Sequence, residues 1–443
     1  MGTSGRPRAE RVLVVGAGLA GCEAAFQLAR RGVPVRLVDM KPAERSPAHR
    51  SAHLAELVCS NSLRAKDLGH AVGLLKEEMR RLGSLVMEAA DACAVPAGRA
   101  LAVDRDAFAR HVTERIEAHP GIETACERVD RLPDAPLAVL ASGPLTAPAL
   151  AADLERVVGR ALAFYDAISP IVYADSVDHG VAFRASRWED GEGDYLNLPL
   201  ERAEYEAFVD ALVAADPVPL HAAEARLYFE GCLPIEEMAR RGRDTLAFGP
   251  MKPAGLRDPR SGRRPAAVVQ LRHEDKRGVL YNLVGFQTRL RIPDQQRILR
   301  ALPGLHEAVF ARYGSVHRNT YVNAPACLAP TLELRARPGL YVTGQLAGVE
   351  GYVESAALGL LAGLFAAAAF RGEPPVAPPA STAHGALLRH LREGDARRFQ
   401  PMNANFGLFA ELLGAPRERR ARNAALAARA LDDLGRFAAR VAP

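Results

Sequence analysis

The stretch Arg11-Val-Leu-Val-Val-Gly16-Ala17-Gly18-Leu19-Ala20-Gly21-Cys22-Glu-Ala-Ala25 decides the fold. It reads as a buried strand, a tight glycine turn and a helix that runs to Arg31, with Gly32 as its stop. A second apolar strand, Val33 to Val38, ends at Asp39. In this reading Gly16 permits the turn, Gly18 lets the backbone approach a pyrophosphate, and Gly21 lets helix and strand pack closely. The helix start offers free N–H groups and the positive end of a dipole. Asp39 stands at the right distance to accept hydrogen bonds from a ribose 2′-hydroxyl. Strand, glycine turn, helix, strand and acid in that order point to a dinucleotide site.

Working outward, 443 residues are too many for one simple core, so more than one domain is expected. Hydrophobic content of 49% and charged content of 25% are ordinary for a globular chain. The first ten residues read as a short polar tail without a leader pattern, and no apolar run reads as a membrane span. Cys22, Cys59, Cys93, Cys126, Cys232 and Cys327 are scattered without a CxxC pair. That argues against metal and dithiol sites and for reduced thiols in the cytoplasm. The net charge of +5, most of it arginine, suits a polyanionic partner without demanding one.

Strands alternate with helices to about residue 165, and Leu137–Leu140 leads into Ser142-Gly143-Pro144, a further glycine turn at a strand end. The texture then changes. Strand-like pieces at 171–173, 266–272 and 281–288 and helices at 200–214 and 235–241 suggest an inserted α+β domain. The loop 258–265 reads as a turn between strands. The sheet resumes at Gly339-Leu-Tyr-Val-Thr-Gly344, and Gly348-Val-Glu-Gly351-Tyr352 opens an Ala/Leu/Gly helix ending near Arg371. Either a tightly packed core helix or a second cofactor turn accounts for that pattern. A glycine-turn strand and helix closing such a chain is the arrangement of FAD-dependent flavoproteins. The expected boundaries are 1–166 and 331–372 for the two parts of an α/β, Rossmann-like FAD-binding domain and 167–330 for the insertion. Residues 373–443 form a proline-rich linker and a helical tail, N-capped at Thr382, that packs on the core. Within the tail, 399–407 is too apolar to face solvent.

Two thiols stand apart. Cys59 lies in Glu56-Leu-Val-Cys59-Ser60-Asn61-Ser62-Leu-Arg64, where any of the three polar residues would N-cap a following helix. Its thiol would then sit beside free N–H groups and Arg64, an environment that favours the thiolate. Cys232 precedes Pro234, a residue suited to the first helical position, although Glu236 and Glu237 oppose a thiolate there. For each, a buried small hydrophobe is the competing reading. Cys22, Cys93 and Cys126 read as packing residues, and Cys327 stays open. Polar residues at 269–272, 285–288 and 317–320 suit either a substrate surface or a solvated sheet face. Tyr352 suits either a heterocycle stack or a cover for the sheet edge.

Several motifs together resemble one family. They are Glu56-Leu-Val-Cys-Ser-Asn-Ser62, Val95-Pro-Ala-Gly98, Ala102-Val-Asp-Arg105, Phe229-Glu-Gly-Cys-Leu-Pro-Ile-Glu236, Phe248-Gly-Pro-Met-Lys-Pro253, His317-Arg-Asn-Thr320 and Gly348-Val-Glu-Gly-Tyr-Val-Glu-Ser355. The family is the folate- and FAD-dependent tRNA (uracil-5-)-methyltransferases of TrmFO type, and the resemblance covers about residues 10–410. It implies C5-methylation of the T-loop uridine at tRNA position 54 in the bacterial cytoplasm. Carbon would come from 5,10-methylenetetrahydrofolate and electrons from reduced FAD, which NAD(P)H regenerates. By motif, Cys59 and Cys232 become the candidate catalytic thiols, with their division of labour open. Gly16, Ala17, Gly18, Leu19, Ala20, Gly21 and Asp39 would hold FAD, joined by Gly143, Gly344, Gly351 and Tyr352. The expected partner is the tRNA T-arm, or a ribosomal RNA, with no membrane and no obligate protein partner. Asn197-Leu-Pro199 and Arg99 depart from the family pattern, at positions that bear on substrate fit. Rival readings are the same chemistry on ribosomal RNA, a flavin-dependent RNA-modification subunit without methyl transfer, and a small-molecule NAD(P)H oxidoreductase.

Overall fold

The computed structural model describes residues 9–46, 48–159, 162–189, 191–219 and 233–443, with the backbone alone at 162–166 and 318. Five parallel strands form the main sheet, in the order Leu340–Val342, Ala138–Leu140, Val12–Val15, Val35–Asp39, Ile122–Cys126. The first strand of the chain is therefore central, and the last joins beside Ala138–Leu140 after the long excursion. This is the α/β, Rossmann-like architecture expected from the opening motif.

Helix Leu19–Ala29 covers the sheet and ends two residues short of the expected Arg31, with Gly32 left-handed at φ 71. Against it lies Tyr352–Arg371, a 20-residue helix whose residues are mostly buried. A Cβ on Gly359 would stand 2.3 Å from the Ala20 carbonyl oxygen, and one on Gly363 would stand 2.8 Å from that of Ala24. The small residues exist so that two helix backbones can touch. This corrects the expectation that no apolar run is long enough to cross a membrane. The helix 352–371 has the length and the composition, and 89% of its most apolar window is buried inside the fold.

The insertion holds a six-stranded antiparallel sheet in the order Phe183–Arg184, Leu196–Leu200, Ala267–His273, Leu280–Leu283, Ile171–Tyr173, Phe310–Arg312. It has its own core, built by Leu198, Tyr205, Phe208, Leu271 and Phe286. Helices Arg202–Ala214 and Ile235–Arg240 fall where the sequence put them. Pro234 takes the N-cap position of the second helix instead of its first turn. The loop 258–265 follows the short helix Thr245–Phe248, so it enters a strand without joining two. A two-stranded ribbon, Leu162–Ala167 with Val316–Tyr321, carries the chain into the insertion and back. In the tail, Thr382 Oγ1 accepts the Gly385 N–H at 3.0 Å and caps Ala383–Glu393. The segment around Phe399 folds back on the core, with Phe399 only 5% exposed.

Candidate active site

The expected glycine turn is present and its glycines do different things. Gly16 is left-handed at φ 97, and a Cβ there would lie 2.5 Å from the Ala141 carbonyl. A Cβ on Gly21 would stand 1.7 Å from the Gly16 carbonyl oxygen, so this residue serves packing from behind the turn. Gly18, the N-cap of Leu19–Ala29, faces open space, with nothing within 4 Å of where a Cβ would stand. That space is a cleft lined by Gly16, Gly18, Leu19, Ala20, Asp39, Gly143, Gly344 and Tyr352, among others. Ala17 and Gly21 do not line it. The Asp39 carboxylate accepts the Ala17 N–H at 2.6 Å and the Lys41 N–H at 2.9 Å. Each oxygen keeps a further lone pair for a hydroxyl in the cleft. First-turn N–H groups without intrahelical partners complete the cradle. These donors and acceptors fit a dinucleotide such as FAD.

A second chamber, about 440 Å³, opens beside the cleft. Pro144, Leu145, Gln345, Val58 and Tyr352 line both. Cys59 lines the chamber. Its N–H donates to Tyr352 Oη at 2.7 Å, and its Sγ lies 2.9 Å from the same oxygen. In the contact between Sγ and Oη either group can donate. Burial, first of all, pushes the Tyr352 phenol well above its ordinary value of 10, so it keeps its proton.

Sequence reasoning erred on how Cys59 is held. Ser60, Asn61 and Ser62 cap no helix; Ser62–Ala65 is a strand paired with Ala100–Val103. Arg64 turns away to an ion pair with the fully buried Glu354. Arg105 reaches the Cys59 loop, its Nη1 donating to the Leu57 carbonyl at 3.0 Å. Arg105 Nε pairs with the buried Glu274 at 2.5 Å, with the Arg105 side chain 14% exposed. Arg272 donates to Asn61 Oδ1 and Ser60 Oγ, each at 3.0 Å. Asn61 Nδ2 in turn donates to the carbonyls of Val103 and His273. The Cys59 loop is thus bolted to the end of the strand Ala267–His273. Arg105 and Arg312 both interact electrostatically with the thiol. The signal for Arg105 was present in the sequence as part of a motif; that for Arg272–Asn61 and for Arg312 was not.

The polar clusters that suited either substrate or solvent are settled in geometry. Arg272, Gln287, His317, Asn319 and Glu350 all line the chamber. Burial lowers the His317 imidazole below its ordinary value, with Arg312 and His49 adding to the shift, so it is neutral near pH 7. Asn403, from the apolar tail loop, lines the chamber as well and donates to the Glu350 carbonyl. Gly351, at φ 109, also lines the chamber and caps the helix 352–371. Asn197 is buried, donating to the Ala185 carbonyl and accepting from Gln270. Glu236, beyond Pro234, is buried and accepts from Thr288 Oγ1 at 2.7 Å; burial raises its carboxyl above the usual range. Cys232 lies outside the described residues. Among the described residues Cys22, Cys93, Cys126 and Cys327 are free thiols, and burial pushes those of Cys22, Cys93 and Cys327 up.

The model of the family described as glucose inhibited division protein A matches residues 11–374. A protein of Geobacter sulfurreducens named methylenetetrahydrofolate–tRNA-(uracil-5-)-methyltransferase TrmFO is 57% identical over 97% of this chain and 99% of its own. One of the same name from Heliobacterium modesticaldum is 55% identical over 97% of this chain and 98% of its own. Among solved structures, Aquifex aeolicus GidA superposes with a TM-score of 0.70 at 16% identity, over 97% of this chain and 74% of that one. At that identity the likeness speaks for the fold, and the two sequence relatives speak for the family. The chain belongs to the methylenetetrahydrofolate–tRNA-(uracil-5-)-methyltransferase TrmFO family, within the broader glucose inhibited division protein A group.

Proposed function

We propose that this protein methylates C5 of the T-loop uridine at tRNA position 54, taking carbon from 5,10-methylenetetrahydrofolate. The observation that carries the reading is the meeting of a dinucleotide cradle and the Cys59 chamber along one shared wall that includes Tyr352. When bound, FAD supplies the electrons that turn the transferred one-carbon unit into a methyl group, and NAD(P)H replenishes them.

The chain's own residues have defined tasks. Gly18 and the helix start hold the pyrophosphate, and Asp39 holds the ribose. Gly143 and Gly344 leave room for the rest of an elongated cofactor on its way to Tyr352. Uracil C5 becomes nucleophilic only after a thiolate adds to C6, and Cys59 or Cys232 performs that addition. The other thiol then serves as acid, base or cofactor-side partner. Tyr352 Oη is placed to donate a hydrogen bond to the Cys59 sulfur, and the guanidinium groups of Arg105 and Arg312 favour negative charge there. The buried chamber requires the target base to leave its stack before it enters.

The relatives' names specify tRNA and methyl transfer, which disfavours a ribosomal target, a non-methylating subunit and a small-molecule oxidoreductase. Free thiols and a tRNA substrate suit the cytoplasm. The deciding experiment supplies carbon-labelled methylenetetrahydrofolate, NADPH and unmodified tRNA, then maps the label. Label in 5-methyluridine at position 54, dependent on flavin, is expected. Label absent from tRNA, or transferred equally well after flavin is stripped, overturns the reading.

A further inference from the structure

A groove of about 350 Å³ runs beside the chamber, between the turn at 98–100 and the segment 186–189 with Tyr195. Gln270 lines the groove, and Arg272, two residues along the same strand and so on the same face, lines the chamber. The two walls are tied together, since the Gly98 N–H donates to Asp194 at 2.5 Å and Tyr195 Oη donates to the Ala97 carbonyl at 3.0 Å. On the rim stands Trp188, the one tryptophan of the chain, 74% exposed. It holds a left-handed backbone at φ 66, and Gly255 packs on its ring so closely that a Cβ there would lie 2.9 Å away. Such a backbone costs on the order of 1–3 kcal/mol and clusters at functional sites. The fold therefore spends strain to present an indole to solvent.

The far end of the groove is the turn at Asp67–His70, where Arg99 approaches Asp67. The last helix, Arg419–Arg440, meets this turn through Asn423 Nδ2, which donates to the Gly69 carbonyl at 3.0 Å. Arg417, Arg419, Arg420 and Arg422 crowd the start of that helix, all exposed. Many other exposed arginines have carboxylate partners, such as Arg80 with Asp91, Arg115 with Glu88 and Arg202 with Glu206. None of these four has one among the described residues. The local acid, Glu418, uses its carboxylate on the N–H groups of Arg420 and Ala421. Cations at a helix start oppose the macrodipole by about 0.3–1 kcal/mol each, so the cluster does not serve the helix.

We propose that the Arg417–Arg422 cluster and the Trp188 groove form one docking track for the RNA substrate, with guanidinium groups on phosphates and the indole under an unstacked base. The track rests on the tRNA reading above. Unpaired cations clustered at one helix start match a phosphate backbone, and an exposed ring matches the way proteins hold single-stranded bases.

The test uses the full-length, FAD-loaded enzyme and unmodified tRNA. Replacing Arg417, Arg419, Arg420 and Arg422 by Ala raises the tRNA dissociation constant at least tenfold at about 100 mM salt. It also makes log K against log salt shallower by about 0.7–0.9 for each guanidinium–phosphate pair removed. The fourfold Lys variant keeps the slope. Trp188→Ala weakens binding roughly 5- to 150-fold without changing the slope, and the emission of the single tryptophan shifts when wild type is saturated with tRNA. NADPH-driven flavin reduction stays at the wild-type rate in every variant, which reports intact folding. Ala variants that bind within twofold of wild type with the same slope, while wild type methylates tRNA, overturn the track alone. A wild type that neither binds nor methylates tRNA overturns the function reading along with it.

Discussion

The nucleotide cradle and the thiol chamber share Tyr352 but are built in opposite ways. The part of the cradle that meets the nucleotide end lies within Gly16–Asp39, with Gly143 and Gly344 added from two later turns, and its working parts are backbone N–H groups and missing side chains. The chamber is assembled from side chains that meet across great distances in sequence. Cys59 and Tyr352 are 293 residues apart, Asn61 and Arg272 are 211, and Arg105 and Glu274 are 169. A local device can be recognised from spacing. A long-range one exists only once two sheets have been brought together.

The contrast is sharpened most by a pair of substitutions. Cys59→Ala should lower methyl transfer by at least about 10³-fold, as removal of a nucleophilic or acid–base thiol does, and leave the protein yellow. Gly18→Glu should fold, because nothing stands within 4 Å of its Cβ, yet lose FAD through charge repulsion at the pyrophosphate. Absorbance near 450 nm and turnover with labelled folate read both. A colourless Cys59→Ala protein or a yellow Gly18→Glu protein would break the division between the two regions.

Next in size is the bolt between loop and insertion. Arg105→Ala leaves Glu274, 3% exposed, without its charge partner, and should cost about 3–5 kcal/mol in denaturant unfolding. A loss under about 1 kcal/mol would show that the pair contributes little. Gly21→Ala should destabilise by about 1–3 kcal/mol, through the clash with the Gly16 carbonyl, while flavin affinity in the folded fraction changes little. A large loss of flavin affinity at unchanged stability would move Gly21 from packing into the cradle proper.

The smallest effect concerns pH. Glu23, on the cradle helix, is fully buried and accepts from Ser84 Oγ at 2.7 Å and the Val86 N–H at 2.9 Å. Burial raises its carboxyl above the ordinary 4.5, so the native state holds a proton that the unfolded chain releases. Its contribution is complete below pH 4.5 and is lost as pH rises through the raised native value. Glu23→Gln should therefore flatten the thermal midpoint against pH above 4.5. An unchanged pH profile would mean that the carboxylate is held ionised by its donors.

The same contrast explains where reading the sequence succeeded. The parallel sheet, the glycine turn, the insertion strands at 171–173 and 267–273 and the Thr382 cap all follow from local pattern and backbone chemistry. The cap proposed at Ser60–Ser62 failed because strand pairing with Ala100–Val103 claimed that backbone first. Polar alternation at 269–272 and 317–320 carried no sign of whether it faced water or a chamber, since both put every second side chain on one face.

By itself the sequence determined the order of elements and the glycine turn of the dinucleotide cradle, because φ freedom, helix capping and side-chain periodicity act over a few residues. Only the tertiary structure decided what surrounds Cys59. Its phenol partner, its nearby guanidinium groups and the chamber wall arrive from segments whose meeting depends on burying two separate cores against each other. That information is spread over the whole chain, and no short stretch contains it.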